Sequence, residues 1–238
     1  MDAIDWHSSI AQSFDNGYAA SRRFRERLAV WRDVMERYLP LGGTVLDAGC
    51  GPGVLSFVAS TRARSVIAFD GSEEMIRIAR EKVPPQNGGD IAFEVATLSE
   101  IDRFGPRSFD LVLSSSVLEY VEDLDHALCA HASMLKQGGT LLVSMPNGQS
   151  LYRWLETRVF NITGRPRYRR CVRHIPHPAT FEDTLTRVGL KPIFRTTYSA
   201  LPLFGSAMRA AGLQNYGDSM FLIAARQLNS EPTVKATA

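Results

Sequence analysis

Long apolar runs are missing from this sequence: none approaches the roughly 20 consecutive apolar residues that a membrane-spanning helix needs. A secretory signal is not indicated either, because the first residues, 1–6, are acidic rather than basic. Cysteine is scarce, and Cys50, Cys129 and Cys171 lie far apart without the spacing of a metal site. These absences predict a cytoplasmic protein with reduced thiols and no bound metal.

Neither sign of charge dominates the chain. It has 27 basic and 25 acidic residues, giving a net charge of +2, so the overall charge does not indicate a nucleic-acid partner. An apolar share of 45% and a charged share of 22% are typical of a soluble globular protein. The length fits one domain, which we expect over residues 1–228, and the polar residues 229–238 predict a disordered tail.

One stretch of the chain carries most of the chemical information. Residues Thr44–Ala48 form an apolar run typical of a buried strand, and three glycines follow at alternate positions. A helix is predicted to begin at Val54, and a second apolar strand, Ser65–Phe69, ends at Asp70. This order of strand, glycine turn, helix, strand and acid predicts half of a doubly wound nucleotide-binding sheet.

The three glycines of this turn, Gly49, Gly51 and Gly53, let the backbone approach a ligand closely in conformations closed to other residues. The N-terminus of the next helix presents free N–H groups and its positive dipole end to the same space. Asp70 lies about 20 residues further on, where an acid can accept hydrogen bonds from a ribose. A turn built only for packing is the alternative, but the position of Asp47 and Asp70 around the glycines favours a ligand.

The spacing of the turn separates two kinds of nucleotide site. A dinucleotide site has the pattern G-x-G-x-x-G, whereas here it is G-x-G-x-G with Asp47 two residues ahead. The segment Val45–Gly53 resembles motif I of the class I S-adenosylmethionine-dependent methyltransferases. The similarity, to the methyltransferase type 11 and ubiquinone-biosynthesis O-methyltransferase group, extends over residues 40–147. It implies S-adenosylmethionine as the cofactor and S-adenosylhomocysteine as the product, and disfavours a hydride-transferring enzyme.

The resemblance implies a fold with which the pattern of predicted elements agrees. The expected class is α/β, a Rossmann-like three-layer sandwich with a seven-stranded, mostly parallel sheet and an antiparallel terminal strand. Residues 1–39 are predicted to be a helical N-terminal cover, and residues 148–180 a cap insert after strand 5. The later elements are expected as helices over 125–136 and 179–190, strands over 140–145, 191–198 and 219–226, and a pocket-lining loop over 201–217.

The residues that the resemblance assigns to the cofactor follow the predicted strands. The glycine turn would pack against the methionyl part, Asp70 would bind both ribose hydroxyls, and Thr97 with Leu98 would contact the adenine. Thr97 stands where the family commonly has Asp, and a plain loop residue is the alternative. The expected cofactor set at these strand ends is Asp47, Gly49, Cys50, Gly51, Gly53, Asp70, Gly71, Thr97, Leu98, Ser114 and Ser115.

The N-terminal segment resembles the part of small-molecule methyltransferases that crosses over the cofactor. Phe14 is therefore expected to shield the cofactor, and Arg22 or Arg25 to meet its carboxylate. A helix that only covers one edge of the sheet is the alternative.

The segment 108–121 is the second strong match to the family. Its strand ends in Ser114 and Ser115, which the resemblance places beside the methionyl group, and a turn of helix follows. Tyr120 stands where the family usually has His. We interpret Glu119 and Tyr120 mainly as helix packing, because this motif is largely structural.

The segment after strand 5 is rich in arginine. Between residues 153 and 173 it has one acid, Glu156, and a net charge of +6. A solvated basic face, a clamp for an anionic substrate and contact with an anionic membrane through residues 151–173 are all open, and nucleic acid is disfavoured because no RNA-binding module is visible. The arginines are Arg153, Arg158, Arg165, Arg167, Arg169, Arg170 and Arg173.

A general base is the remaining part of the expected site, since an oxygen or nitrogen acceptor loses a proton during methyl transfer. We predict His174 or His177 in this role, with Tyr120 and His7 as weaker candidates and structural histidines as the alternative. The favoured function is O-methylation of a small molecule, anionic or lipid-like in character, by a monomer or homodimer. N- or C-methylation and a non-catalytic cofactor-binding protein remain alternatives.

Overall fold

The computed structural model describes residues 2–83, 90–200 and 205–228, so the predicted tail and the first residues of the predicted 201–217 loop lie outside it. The helices in these ranges are α1 (Ala3–Ala20), α2 (Arg22–Tyr38), α3 (Val54–Ser60), α4 (Glu73–Glu81), α5 (Leu124–Met134), α6 (Leu151–Thr163), α7 (Pro178–Arg187), α8 (Gly205–Ala210) and α9 (Gln214–Gly217). Short 3-10 helices cover Leu98–Phe104, Leu118–Tyr120 and Arg167–Arg170.

Seven strands of these ranges form one sheet in the order β3-β2-β1-β4-β5-β7-β6. The first five are parallel, and β7 pairs antiparallel with both β5 and β6. The strands are β1 (Thr44–Ala48), β2 (Ser65–Asp70), β3 (Asp90–Val95), β4 (Phe109–Ser115), β5 (Leu135–Pro146), β6 (Leu190–Ala200) and β7 (Asp218–Gln227). The expected α/β, Rossmann-like sheet with an antiparallel strand near its end is therefore confirmed.

Helices cover both faces of the sheet because successive strand residues point to opposite sides. Val45 of β1 belongs to a buried cluster with Trp31 of α2. The next residue, Leu46, belongs to the opposite cluster with Leu128 of α5 and Phe181 of α7. Such burial on both faces explains why the centres of β1, β4 and β5, at residues 45–46, 111–113 and 141–143, are runs of consecutive apolar residues.

The carboxyl ends of the parallel strands all open onto one edge of the sheet, where ligands bind in folds of this kind. The strand order reverses direction between β1 and β4, and β1 pairs with β4 through Leu46 and Val112. The glycine turn after β1 therefore lies at the switch point, next to the end of β4. This arrangement positions the candidate site.

Several boundaries differ from the sequence prediction: the strand expected over 140–145 spans Leu135–Pro146, and the helix expected over 179–190 spans Pro178–Arg187. The helix expected over 125–136 ends at Met134, because Leu135 already pairs with Phe109 and opens β5. The loop expected over 201–217 contains α8 and α9, where the Leu213 N–H donates to the Met208 carbonyl at 2.7 Å. Across the described ranges, no helix combines the length and the apolar character that crossing a membrane requires.

Candidate functional site

The glycine turn after β1 is fastened to the neighbouring strand by backbone hydrogen bonds. The N–H groups of Gly49 and Cys50 both donate to the Phe69 carbonyl, at 2.8 and 2.9 Å. The Gly53 N–H then donates to the Cys50 carbonyl at 3.1 Å and begins α3. The turn is thus held at the end of β2, beside Asp70.

The three glycines have different surroundings, although all have positive φ angles. A Cβ at Gly49 would lie 2.3 Å from Cγ2 of Val117, and one at Gly53 would lie 2.7 Å from the Phe93 ring. A Cβ at Gly51 would meet no atom closer than 3.9 Å, because this glycine faces the cavity. Gly49 and Gly53 therefore serve close packing, and Gly51 leaves its backbone accessible to a ligand.

Gly49 provides a test of this packing, with Gly138 as a control. Both residues have φ near +75°, but a Cβ at Gly138 would meet no atom within 4 Å. We expect Gly138→Ala to lower the free energy of unfolding by about 1–2 kcal/mol through the left-handed backbone alone. Gly49→Ala should cost about 1–3 kcal/mol more because of the clash with Val117. Equal unfolding midpoints in urea for the two variants would contradict the close packing at Gly49.

Asp70 connects the turn to α4. Its Oδ2 accepts from the Gly51 N–H and its Oδ1 from the Ser72 N–H, both at 2.9 Å. Burial raises the pKa of Asp70, and the two N–H groups together with nearby His7 oppose that rise. The carboxylate lines the cavity, and each oxygen accepts one N–H and can accept a further hydrogen bond from a hydroxyl group.

Asp47 lies beneath the turn, almost fully buried. Its Oδ2 accepts from the Ser56 hydroxyl at 2.6 Å, and its Oδ1 has no partner in the described residues. Burial raises the pKa of Asp47 to about 7, and the charge of Arg27 opposes the rise. The free oxygen is a site for a hydrogen-bond donor of a ligand.

Arg27 is the arginine that reaches the end of β4. Its Nη2 donates to Oγ of Ser115 at 2.7 Å and contacts the Ser115 carbonyl at 3.3 Å, and its Nε is buried without a partner. Ser114 lies in the strand, buried, with its Oγ also unpartnered. Arg27 is therefore suited to bind the carboxylate of a ligand, whereas Ser114 does not line the cavity, which corrects its expected place in the cofactor set.

Arg22 and Arg25 do not line the cavity, which corrects the expectation that one of them meets the cofactor carboxylate. Both are exposed on α2. Arg23 and Arg27 line the cavity instead, since residues four apart share a helix face. The apolar spacing of α2 predicts which face of the helix packs against the protein. It does not show which arginine beside that face reaches the cavity, so the sequence does not predict Arg27.

Residues of helix α1 line one side of the cavity. Phe14 lines it, edge-on to the rings of Tyr18 and Phe24. The Ser8 hydroxyl donates to Oγ of Ser72, which ties α1 to the N-terminus of α4. A Cβ at Gly71 would lie 2.7 Å from Ile4, so the cover approaches the backbone after β2 closely.

Thr97 and Leu98 line the cavity beyond β3, next to Gly71. The Thr97 N–H and hydroxyl both donate to Oε2 of Glu100, at 2.9 and 3.0 Å, and cap the following 3-10 helix. The hydroxyl is thus engaged in capping.

Cys50 is buried beside the turn, and its pKa lies well above that of an ordinary thiol because of burial, so it is not a nucleophile here.

The cap insert adds a buried ionic cluster to the cavity wall. Arg153 of α6 donates from Nη1 to Glu156 at 2.7 Å and to the Tyr168 hydroxyl at 2.8 Å, and its Nε donates to the Ser219 carbonyl. The Tyr168 hydroxyl also donates to Glu156. Arg153, Tyr168 and Arg169 all line the cavity. At least two of the seven insert arginines are therefore structural and site-facing rather than solvated.

Glu119 is a functional candidate that the sequence suggested only as packing. Its side chain is 3% exposed and lines the cavity, and its Oε2 has no partner in the described residues. Burial raises the pKa of Glu119 to about 7, and the charges of Arg153 and Arg27 oppose the rise. A carboxylate that titrates near neutral pH is suited to accept a proton.

His7 and Tyr120 also face the cavity, with ring centroids 5.0 Å apart in an edge-on contact. The His7 Nδ1 lies 2.7 Å from the Ala3 carbonyl, an oxygen that can only accept, so Nδ1 carries a proton. The Nε2 of neutral His7 is then the acceptor. From the sequence, both side chains are weaker candidates for the base than His174 and His177.

His174 and His177 lie outside the cavity lining, which corrects the expectation that one of them is the base. The His174 Nε2 donates to the Val121 carbonyl at 2.9 Å. The backbone N–H of His174 donates to the Glu119 carbonyl at 3.2 Å. His177 is exposed at the N-terminus of α7. His174 therefore joins the end of the cap insert to the 118–120 helix and to the residue that follows it.

The lining groups named above surround one cavity of about 730 Å³. Its wall contains the accessible Gly51, the acceptor Asp70, and several buried polar atoms without partners, which in folded proteins are uncommon unless a ligand or water satisfies them. The residues present fit S-adenosylmethionine: Asp70 for the ribose, Gly51 for close approach, and Asp47, Ser115 and Arg27 for the charged amino-acid end. Metal clusters of three or more His, Cys, Asp or Glu side chains are absent from the part of the chain described.

Comparison with known proteins gives one family match and many relatives. A family model described as a methyltransferase domain matches residues 46–143. A ubiquinone biosynthesis O-methyltransferase of Rhizobium rhizogenes is 31% identical over 177 residues, which are 69% of this chain and 66% of that protein. One of Caulobacter vibrioides is 38% identical over 106 residues, 44% of this chain and 42% of that protein. The chain thus spans up to about two thirds of the length of these relatives.

Solved structures share the fold at lower identity. The magnesium protoporphyrin IX methyltransferase of Synechocystis, crystallised with bound S-adenosylhomocysteine, is 17% identical with a TM-score of 0.68, covering 94% of this chain and 97% of that one. An S-adenosylmethionine-dependent methyltransferase of Mesorhizobium loti is 23% identical with a TM-score of 0.60, covering 82% of this chain and 96% of that one. At this identity the likeness shows the fold.

Proposed function

The chain belongs to the class I S-adenosylmethionine-dependent methyltransferases, and we propose that it transfers a methyl group from this cofactor to a hydroxyl oxygen of a small molecule. One observation carries the proposal. The accessible Gly51 and the carboxylate of Asp70 are joined by a 2.9 Å hydrogen bond and face the same cavity as Arg27. The printed names of the curated relatives, which are O-methyltransferases, support oxygen as the acceptor atom.

The protein would contribute orientation, exclusion of water and a proton acceptor. Bound S-adenosylmethionine supplies a sulfonium-activated methyl group. Helix α1 covers the cavity through Phe14 and would keep water away from the site. Glu119 would accept the proton of the acceptor hydroxyl at its unpartnered Oε2, with Nε2 of His7 as the second candidate.

The wall beyond the cofactor residues indicates the body of the acceptor. Tyr120, Tyr152, Tyr168 and Tyr198 line it together with Ile175. Such a surface suits an aromatic or otherwise apolar small molecule, and the nearby guanidinium of Arg169 would tolerate an anionic substituent. We place the reaction in the cytoplasm.

Calorimetric titration with S-adenosylhomocysteine and with NAD tests the cofactor half of the proposal. We expect saturable binding of S-adenosylhomocysteine with a Kd in the micromolar range or tighter, about −8 kcal/mol, and none of NAD. The expectation follows from the turn, whose spacing and Asp70 fit a nucleoside without a pyrophosphate. Binding of NAD alone would overturn the assignment of the cofactor.

A non-catalytic cofactor-binding protein is the second candidate function, and the same site would serve it. Screening phenolic, glycosyl and lipid-quinone acceptors for formation of S-adenosylhomocysteine separates the two. An acceptor-dependent rate above the background supports the enzyme. Cofactor binding without turnover over the whole screen favours the second function.

A further inference from the structure

Helix α6 has two faces of opposite character. Tyr152 and Arg153 on one face line the cavity, and Glu156 is buried beside them. The other face exposes large apolar side chains, with Trp154 55% and Ile162 85% exposed. At 100° per residue these apolar positions fall within an arc of about 140°. The exposed face consists of Leu151, Trp154, Leu155, Val159 and Ile162.

An apolar stripe of this size needs a partner, since soluble proteins seldom leave contiguous large apolar side chains in water. The stripe is surrounded by positive charge. Arg158 lies within it, with its Cζ 5.1 Å from the centre of the Trp154 ring. Arg165, Arg167 and Arg170 follow on the exposed side of the insert.

The charge of this face indicates which kind of partner would bind it. Glu156, the one acid of residues 151–173, is buried and paired with Arg153, so the exposed side carries positive charge alone. A second copy of the chain would bring arginines against arginines, which is unfavourable. Nucleic acid would match the positive charge but provides little apolar surface for the side chains of Ile162 and Leu155. A bilayer with anionic headgroups matches both the basic and the apolar side chains.

We propose that α6 docks this chain onto an anionic lipid bilayer, with Trp154, Leu155 and Ile162 inserted at the level of the headgroups and the surrounding arginines on lipid phosphates. The opposite face of the same helix forms part of the cavity wall. If the proposed function holds, the acceptor pocket then lies one helix away from the membrane, where a lipid-like acceptor is available. Docking itself requires neither cofactor nor turnover.

Co-sedimentation with vesicles tests the docking face. The probes are phosphatidylcholine vesicles with and without about a third of phosphatidylglycerol. We expect the full chain to bind only the anionic vesicles, and to be released at high salt. The double variant Arg158→Ser/Ile162→Ser should bind at least about tenfold more weakly, since it loses one cationic contact and one apolar anchor.

The matched control is Leu41→Ser/Arg64→Ser. It removes the same kinds of side chain, both exposed, at the opposite edge of the sheet where the strands begin. We expect it to bind like the unmodified chain. Failure of the unmodified chain to bind anionic vesicles overturns the proposal, and so does equal loss in the two double variants.

Two further outcomes would assign the face to another occupant. Sedimentation equilibrium would show a dimer that Arg158→Ser/Ile162→Ser dissociates if the face joins two copies. Single-stranded RNA would displace the vesicles at low concentration if the face binds nucleic acid. Titration of the same preparations with S-adenosylhomocysteine keeps docking distinct from the proposed function, because either can be retained when the other fails.

Discussion

Replacement of Asp70 by Asn is expected to weaken binding of S-adenosylhomocysteine at least about 100-fold. Hydrogen bonds to a charged group contribute about 1.5–3 kcal/mol each, and the carboxylate is placed to accept two from a ribose. It also accepts from the N–H groups of Gly51 and Ser72. An amide has one acceptor oxygen, so its NH2 group would face one of these two donors. Calorimetry gives the change in Kd directly.

Asp90→Asn is the matched control for this prediction. Asp90 opens β3, next to the start of β2, whereas Asp70 ends β2. The same change of charge at the opposite edge of the sheet should leave the Kd unaltered. An Asp70→Asn variant that keeps its affinity for S-adenosylhomocysteine would show that the acid does not contact the ligand.

Replacement of Glu119 by Gln is expected to lower kcat at least about 100-fold, the usual contribution of a general base. In the unmodified enzyme kcat should rise with pH and level off above about 7, because the pKa of Glu119 is raised to about 7 by burial and only the ionised form accepts a proton. The Gln variant should lose this rise. The measurement is the pH profile of kcat with an acceptor found in the screen.

Glu122→Gln is the control, since Glu122 is exposed three residues further on and paired with Arg173. Its pH profile should match that of the unmodified enzyme. A Glu119→Gln enzyme with full activity contradicts the role of Glu119, and loss of the rise in His7→Gln would assign the proton to the imidazole.

Stability gives a second readout of Glu119 that needs no acceptor. The pKa of Glu119 is raised from 4.5 to about 7 in the folded state. Its contribution to the free energy of unfolding is therefore fully present below the pKa of the unfolded state and is lost as pH rises through 7. Between these two pKa values the free energy of unfolding of the unmodified protein should fall by roughly 3 kcal/mol relative to that of the Gln variant. Urea unfolding at pH 5 and pH 8 measures the difference.

The sequence alone determined the cofactor end of the site. Strand β1, the glycine turn and Asp70 are local features, since their spacing along the chain already fixes what a parallel sheet brings together. The positive φ of Gly49 and the N-cap of Ser72 on α4 are likewise readable from neighbouring residues. For the same reason the order and type of the main elements could be predicted.

Only the tertiary structure decided which charged side chains face the cavity. The sequence prediction named Arg22 or Arg25, and the packing of α2 turns Arg27 toward the cavity instead. His174 and His177 follow a basic insert that suggests a lid, yet the hydrogen bond from His174 to the Val121 carbonyl turns its ring toward the backbone. Such choices depend on contacts between residues far apart in the chain, which spacing does not encode.

The arginine-rich insert combines both kinds of information. Its composition and the apolar spacing on α6 could be read directly from the sequence. The pairing of Arg153 with Glu156 and Tyr168 could not, because Tyr168 reaches it only after the chain turns back from α6. The sequence thus determined which cofactor the site resembles a site for, and the tertiary structure decided which buried groups line the cavity, since burial and orientation arise from packing across the whole chain.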